Sequence, residues 1–144
     1  MWEKDEAGRY VYRSGGVTKV MMNPPYENKY GCMTIVENVM DNVPPNTLCG
    51  FILPDKKLEK TGKAQKQRIL KHHRLLKVIK LPEDLFFGIG VTTSIFVFKA
   101  GVPQNDEEFF TCWMKDDGLV TVKNKGRHDV YGRWPEIEDT WVNT

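Results

Sequence analysis

The sequence predicts an α/β fold: an open sheet, mostly parallel, with an antiparallel strand near its end. Three observations carry this. Apolar runs of strand length alternate with helical periodicity between residues 17 and 100, and such alternation makes parallel strands joined by right-handed crossovers. Three of the apolar runs finish at prolines, Pro24, Pro54 and Pro82, which lack the N–H that would extend a ladder. The last two runs, 75–82 and 92–100, are joined by about nine residues, too few for a helical crossover, so that pair is antiparallel.

In chain order, "GRYVYRSGG" (8–16) alternates weakly and ends in Gly-Gly, a short strand and turn. "VTKVMMN" (17–23) is a buried strand. Residues 30–43 place Cys32, Met33, Val36, Val39, Met40 and Val43 at three-to-four spacing, an amphipathic helix. "TLCGFILP" (47–54) is a second apolar strand. "TGKAQKQRILKHHR" (61–74) reads as a helix with Thr61 as its cap. "LLKVIKLP" (75–82) and "TTSIFVFKA" (92–100) are strands around an irregular loop, 83–91, and "EFFTCWMK" (108–115) is a fifth strand. The tail from Asp116 is polar, with little periodicity.

Composition is that of a globular protein: 40% hydrophobic, 28% charged and 11% aromatic over 144 residues, with a net charge of +2. No apolar run approaches the roughly 20 residues that span a bilayer, and "MWEKDEAGRY" lacks the basic-then-apolar pattern of a signal peptide. Cys32, Cys49 and Cys112 have no metal-ligand spacing and read as buried thiols of a cytoplasmic protein. His72 and His73 have no matched third ligand, so no metal site is expected. The charge is uneven: residues 55–80 carry +8 and the remainder −6. A solvated helix face explains that asymmetry, and so does an acidic partner such as DNA. For DNA, Lys63, Lys66, Arg68, Lys71 and Arg74 are the candidate backbone contacts.

The stretch Asn23-Pro24-Pro25-Tyr26 sits where a parallel strand ends, the place where open α/β sheets bind ligands. A residue preceding proline is held extended, so Asn23 and Pro24 form a stiff corner presenting an amide and a phenol. A plain strand-ending turn is the bland reading. The chemical one is that such a corner grips a flat polar group.

The motifs "NPPY" (23–26), "LPEDLFFGIGVTTSIFVFKAG" (81–101) and "CWMKDDG" (112–118) together resemble the catalytic half of an N6-adenine DNA methyltransferase. The likeness is greatest to the modification subunit of type I restriction–modification systems and covers roughly residues 17–123. It implies a Rossmann-like fold of the S-adenosylmethionine-dependent kind. It also implies DNA as substrate, and partnership with specificity and restriction subunits. The Asn23 side-chain carbonyl and the Pro24 backbone carbonyl would accept the hydrogens of an exocyclic amine, the prolines, Pro25 included, fixing their direction. Tyr26 would stack on a base taken out of the helix, with Phe86 or Phe87 as a second aromatic contact. Both phenylalanines also read as core residues under a loop.

The resemblance divides the chain into an N-terminal extension able to add a strand (1–16), a catalytic half (17–101), and a further strand with a polar tail (102–144). The glycine-rich loop and ribose-binding acid of the family have no counterpart before Val17, so the S-adenosylmethionine site is expected to be incomplete. Strand 17–23 would then be an unpaired edge, and such edges find partners: a second copy of the chain, or "GRYVYR" (8–13) folding back. Two other functions remain open, methylation of another planar amide such as protein glutamine, and a non-catalytic module binding DNA or a partner.

Overall fold

The computed structural model describes residues 2–4, 6–8, 10–12, 19–26, 31–85 and 91–143. Its centre is a five-stranded sheet. The strands are β3 (Lys19–Met22), β4 (Leu48–Pro54), β5 (Arg74–Lys80), β6 (Thr93–Lys99) and β7 (Phe110–Trp113), in the order β3-β4-β6-β5-β7. Pairing is parallel for β3 with β4 and for β5 with β7. β6 runs antiparallel to both β4 and β5. The sheet is therefore mostly parallel in direction, with the expected antiparallel strand wedged inside it. A register shift between Leu75 and Lys77 marks a bulge where β5 starts along β6.

Two helices form the crossovers, α1 (Cys32–Asp41) between β3 and β4, and α3 (Lys63–His72) between β4 and β5. Both crossovers step the same way across the sheet, so right-handed connections put both helices on one face. The core lies between them and the sheet: Cys32, Met33, Val36 and Met40 of α1, Ile69 of α3, and Cys49, Phe51, Leu53, Leu75, Phe96 and Phe98 of the strands. Phe51 and Phe98 meet edge to face, with centroids 6.3 Å apart. On the opposite face Met21, Leu48 and Phe110 stand exposed. There Gly50 is bare for a reason: a Cβ would come within 2.5 Å of the Met21 sulfur.

A short helix α2 (Lys57–Lys60) precedes α3, and it corrects one expectation. Thr61 does not cap α3; Gly62 does, with no side-chain bond. The Thr61 hydroxyl donates instead to the Lys57 carbonyl at 2.7 Å, closing α2. The chain end beyond Asp116 also differs from the polar tail expected. It forms a hairpin, β8 (Val120–Val122) with β9 (Gly126–His128), and a helix α4 (Trp134–Val142). The Asp129 carboxylate accepts N–H bonds from Arg133 and Trp134, at 2.7 and 3.1 Å, just before and at the start of α4. Gly118 has φ 73° and abuts Ile137 of α4, leaving no room for a side chain.

The expected strand in "GRYVYR" exists as β2 (Tyr10–Tyr12), but it pairs with β1 (Trp2–Lys4) rather than with β3. Among the described residues, β3 has β4 on one side and no strand on the other.

Candidate active site

β3, β4, β5 and β7 run the same way, so their carboxyl ends share one rim with the start of β6. Asn23-Pro24-Pro25-Tyr26 leaves β3 on that rim. Pro24 is buried, Tyr26 is half-buried, and Asn23 and Pro25 are exposed. The Tyr26 hydroxyl lies 2.8 Å from Asn23 Oδ1 and 3.1 Å from the Ile52 carbonyl on β4, its one proton shared between two acceptors. The corner is thereby tied to the neighbouring strand, and the amide oxygen of Asn23 has a fixed direction. Burial, and secondarily the Cys32 thiol, raise the Tyr26 phenol above its ordinary range. Cys32, the first residue of α1, is itself raised by burial, partly relieved by Lys57. Tyr26, Cys32 and Lys57 thus gather β3, α1 and α2 at one point.

Further along the rim a polar chain crosses the ends of β4, β6, β5 and β7. Asp55 accepts the Ser94 hydroxyl at 2.7 Å, and its other oxygen is 3.7 Å from Lys80 Nζ. Lys80 is also 3.9 Å from Glu83 and lies over the Trp113 ring, 4.7 Å from its centroid. Lys115 approaches the same ring at 4.9 Å. The Thr93 hydroxyl is buried beside this chain and has no partner among the described residues.

The sequence candidates do not all meet. Phe86 and Phe87 lie outside the described residues. The basic set is spread along a crossover rather than gathered at the rim. α3 begins on the rim side, where β4 ends, and finishes at the far end, where β5 begins. Lys63 is therefore nearest Asn23, and Arg74 is farthest from it. Arg68 is held by Glu37 of α1 at 2.9 Å. The Arg74 guanidinium donates twice to the Pro103 carbonyl, at 3.1 and 3.2 Å. Lys63, Lys66 and Lys71 have no described acid within ion-pair distance.

Nor do the paired histidines act together. His72 is exposed. His73 is buried, its Nε2 2.7 Å from Asp41 and its Nδ1 accepting the Gly101 N–H at 3.0 Å. That bridge joins the ends of α1 and α3 to the turn after β6. Among the described residues no three His, Cys, Asp or Glu side chains converge as a metal site would require, and no described helix is long and apolar enough to cross a membrane.

Sequence reasoning missed a third cluster, beyond β7. Arg127 of β9 pairs with Asp117 at 2.6 Å and Asp84 at 3.1 Å. Burial works against its charge, but these two carboxylates more than offset it, and its pKa is raised. Arg133 holds Asp116 at 2.6 Å. The Asp116 carboxyl lies below its ordinary range, through the Gly118 N–H first and Arg133 second. The available signal was the Asn-Lys-Gly in "VTVKNKGRH": Asn124 and Gly126 both take positive φ, 62° and 75°, as a tight hairpin requires.

Comparison with known proteins bears on this geometry. The sequence profile of the N-6 DNA Methylase family matches residues 39–129. That span excludes the Asn23 corner, so the motif and the match are separate signals. The chain is 34% identical over 123 residues to the type II restriction enzyme and methyltransferase RM.BcgI of Heyndrickxia coagulans, covering 77% of this chain and 19% of that protein. It is 24% identical over 106 residues to the type I restriction enzyme StySPI methylase subunit of Salmonella potsdam, covering 69% and 20%. In structure it resembles the type I restriction–modification methyltransferase subunit from Streptococcus thermophilus. The TM-score is 0.57 at 15% identity, over 99% of this chain and 34% of that one. The chain spans about a fifth of the length of the curated relatives it matches. With a family match over most of its length and the expected sheet beneath it, the chain belongs to the N-6 DNA methylase family.

Proposed function

We propose that this chain is the base-binding half of a DNA adenine-N6 methyltransferase, in the modification subunit of a restriction–modification system. The observation that carries the reading is the Asn23 amide oxygen, held by Tyr26 at the rim end of β3. The exocyclic amine of adenine is a poor nucleophile because its lone pair is delocalised into the ring. The Asn23 side chain and the Pro24 carbonyl accept its two hydrogens and draw the nitrogen toward tetrahedral geometry. Pro24 and Pro25 keep these acceptors from reorganising as charge develops. Tyr26 offers its ring face to the extruded base, and Phe86 or Phe87 a second contact, offsetting part of the unstacking cost of a few kcal/mol. Lys63, Lys66, Arg68, Lys71 and Arg74 are the DNA-backbone contacts in this reading, with Lys63 and Lys66 the best placed.

S-adenosylmethionine supplies the methyl group on its sulfonium. The described residues fit only its reacting end. The groove between β3 and α1 is mostly apolar, formed by Val20, Met22, Ile35, Val39 and Val43 with Asn38 and Asn42. Among the described residues no strand pairs with the open side of β3. The adenosyl half must come from strands laid against β3. A second copy of the chain across that edge is the alternative arrangement, and specificity and restriction subunits are the wider partners.

The test is methyl transfer into DNA by the assembled modification subunit, with N6-methyladenine identified in the product. Asn23→Ala is expected to lower turnover by about 100-fold or more, the scale of removing one preorganised polar group from a reacting centre. Full turnover by Asn23→Ala would refute the reading. Methyl found on glutamine instead of adenine would replace the substrate.

A further inference from the structure

The hairpin beyond β7 is unused by this chemistry. Four acids beside it are engaged: Asp84 and Asp117 hold Arg127, Asp116 holds Arg133, and Asp129 accepts the Arg133 and Trp134 N–H groups, while Glu136, Glu138 and Asp139 of α4 stand exposed. Lys115, Lys123 and Lys125 are exposed and have no described acid within ion-pair distance. Lys80 is excluded from this set, because Asp55 and Glu83 both draw on it. Beside Lys115 stands Trp113, 46% exposed although it is the largest side chain of the sheet edge.

Place matters as much as charge. Asp84 follows the carboxyl end of β5, so its pairing with Arg127 fixes the hairpin to the rim that carries Asn23. The Lys123 to Lys125 turn is within four residues of Arg127, about 13 Å at strand rise. Trp113 ends the strand four places from β3, about 19 Å away at ordinary strand spacing. A two-stranded ribbon is also an element that a DNA major groove admits.

We propose that the β8–β9 hairpin, with Lys115 and Trp113, is a DNA-binding rim. Lys115, Lys123 and Lys125 neutralise backbone phosphates flanking the extruded base, and the Trp113 ring carries Lys115. The ion pairs of Arg127 are the mount that holds the hairpin in place. This rests on DNA being the substrate.

The experiment is fluorescence anisotropy of a labelled duplex of about 20 base pairs, titrated with the 144-residue chain between about 50 and 200 mM salt. Three proteins are compared: the wild type, the hairpin triple variant Lys115→Ala, Lys123→Ala, Lys125→Ala, and an α3 triple variant Lys63→Ala, Lys66→Ala, Lys71→Ala. All six side chains leave the core untouched, and a thermal melt verifies that each variant folds. Each phosphate contact contributes about 0.9 to the slope of log affinity against log salt, so the hairpin variant is expected to flatten the slope by about 2 to 3. A hairpin variant with the wild-type slope, beside an α3 variant with a flattened one, would overturn the rim and leave DNA as the substrate. Wild-type binding weaker than about 1 mM at the lowest salt would also overturn the rim. The substrate is then decided by the methyl-transfer assay alone.

Discussion

Replacing Tyr26 with phenylalanine removes one oxygen and keeps the ring. In the structure that oxygen bridges Asn23 Oδ1 and the Ile52 carbonyl. Asn23 is exposed, so water replaces the lost donor there at little cost. The Ile52 carbonyl on β4 loses the phenol as its donor. The net value of one such hydrogen bond is about 0.5–1.5 kcal/mol. For a chain of this size 1 kcal/mol corresponds to a fall in melting temperature of about 3–5 °C. The assay is a pair of thermal melts at pH 7, repeated at rising pH. The phenol's folded pKa lies above its usual value, so above about pH 10 the unfolded chain gives up its proton first. The folded state then binds more protons than the unfolded one, and stability falls as pH rises. Tyr26's contribution is full below pH 10 and lost as pH climbs through the folded pKa, so the gap between wild type and Tyr26→Phe must narrow in alkali. In the assembled subunit Tyr26→Phe retains the stacking face, whereas Tyr26→Ala gives up about 1–3 kcal/mol of it. Equal melting temperatures at pH 7, or turnover by Tyr26→Phe as poor as by Tyr26→Ala, would refute the bridge and the stacking role respectively.

Two further outcomes follow from buried groups. His73→Phe keeps most of the volume but leaves the Gly101 N–H without its acceptor, so urea unfolding should show a loss of about 1–3 kcal/mol; an unchanged midpoint would mean that the bridge to Asp41 and Gly101 holds nothing. The Cys49 thiol is fully buried and its pKa is pushed up to about 11 by burial, whereas Cys112 is only half-buried. A thiol reagent at pH 8 should therefore label Cys112 well before Cys49, which reacts only through opening of the fold; simultaneous labelling would contradict the sheet's packing.

The strands between residues 17 and 100 were legible because each combines an apolar run with a proline or glycine stop. The antiparallel β6 was legible from the length of one loop, since nine residues cannot carry a crossover helix. The corner at Asn23 could be read because proline restricts its neighbours, which is a local effect. What escaped was held by distant partners. The hairpin of Lys123 and Lys125 is anchored through Arg127 to Asp84, 43 residues away, and nothing local announces that pairing. A strand was read within residues 8–13, and β2 lies there, but its pairing with β1 depends on "WEK", three residues with no alternation to see. The basic residues of 63–74 were read as one face. Arg68 and Arg74 turn out to be occupied, by Glu37 and by the Pro103 carbonyl, both long-range contacts.

The position of β6 also bears on how the chain can be made and cut. β4 and β5 lie one strand-width apart and never touch as a ladder; residues 93–99, synthesised after both, fill the gap between them. Before residues 93–99 are added, β3-α1-β4 and α3-β5 share no ladder, and β7 joins β5 later still in the chain. The same geometry makes residues 93–99 the keystone for any gene-splitting experiment. Two fragments divided after residue 85 would each lack the five-stranded sheet, yet could assemble by threading one central strand.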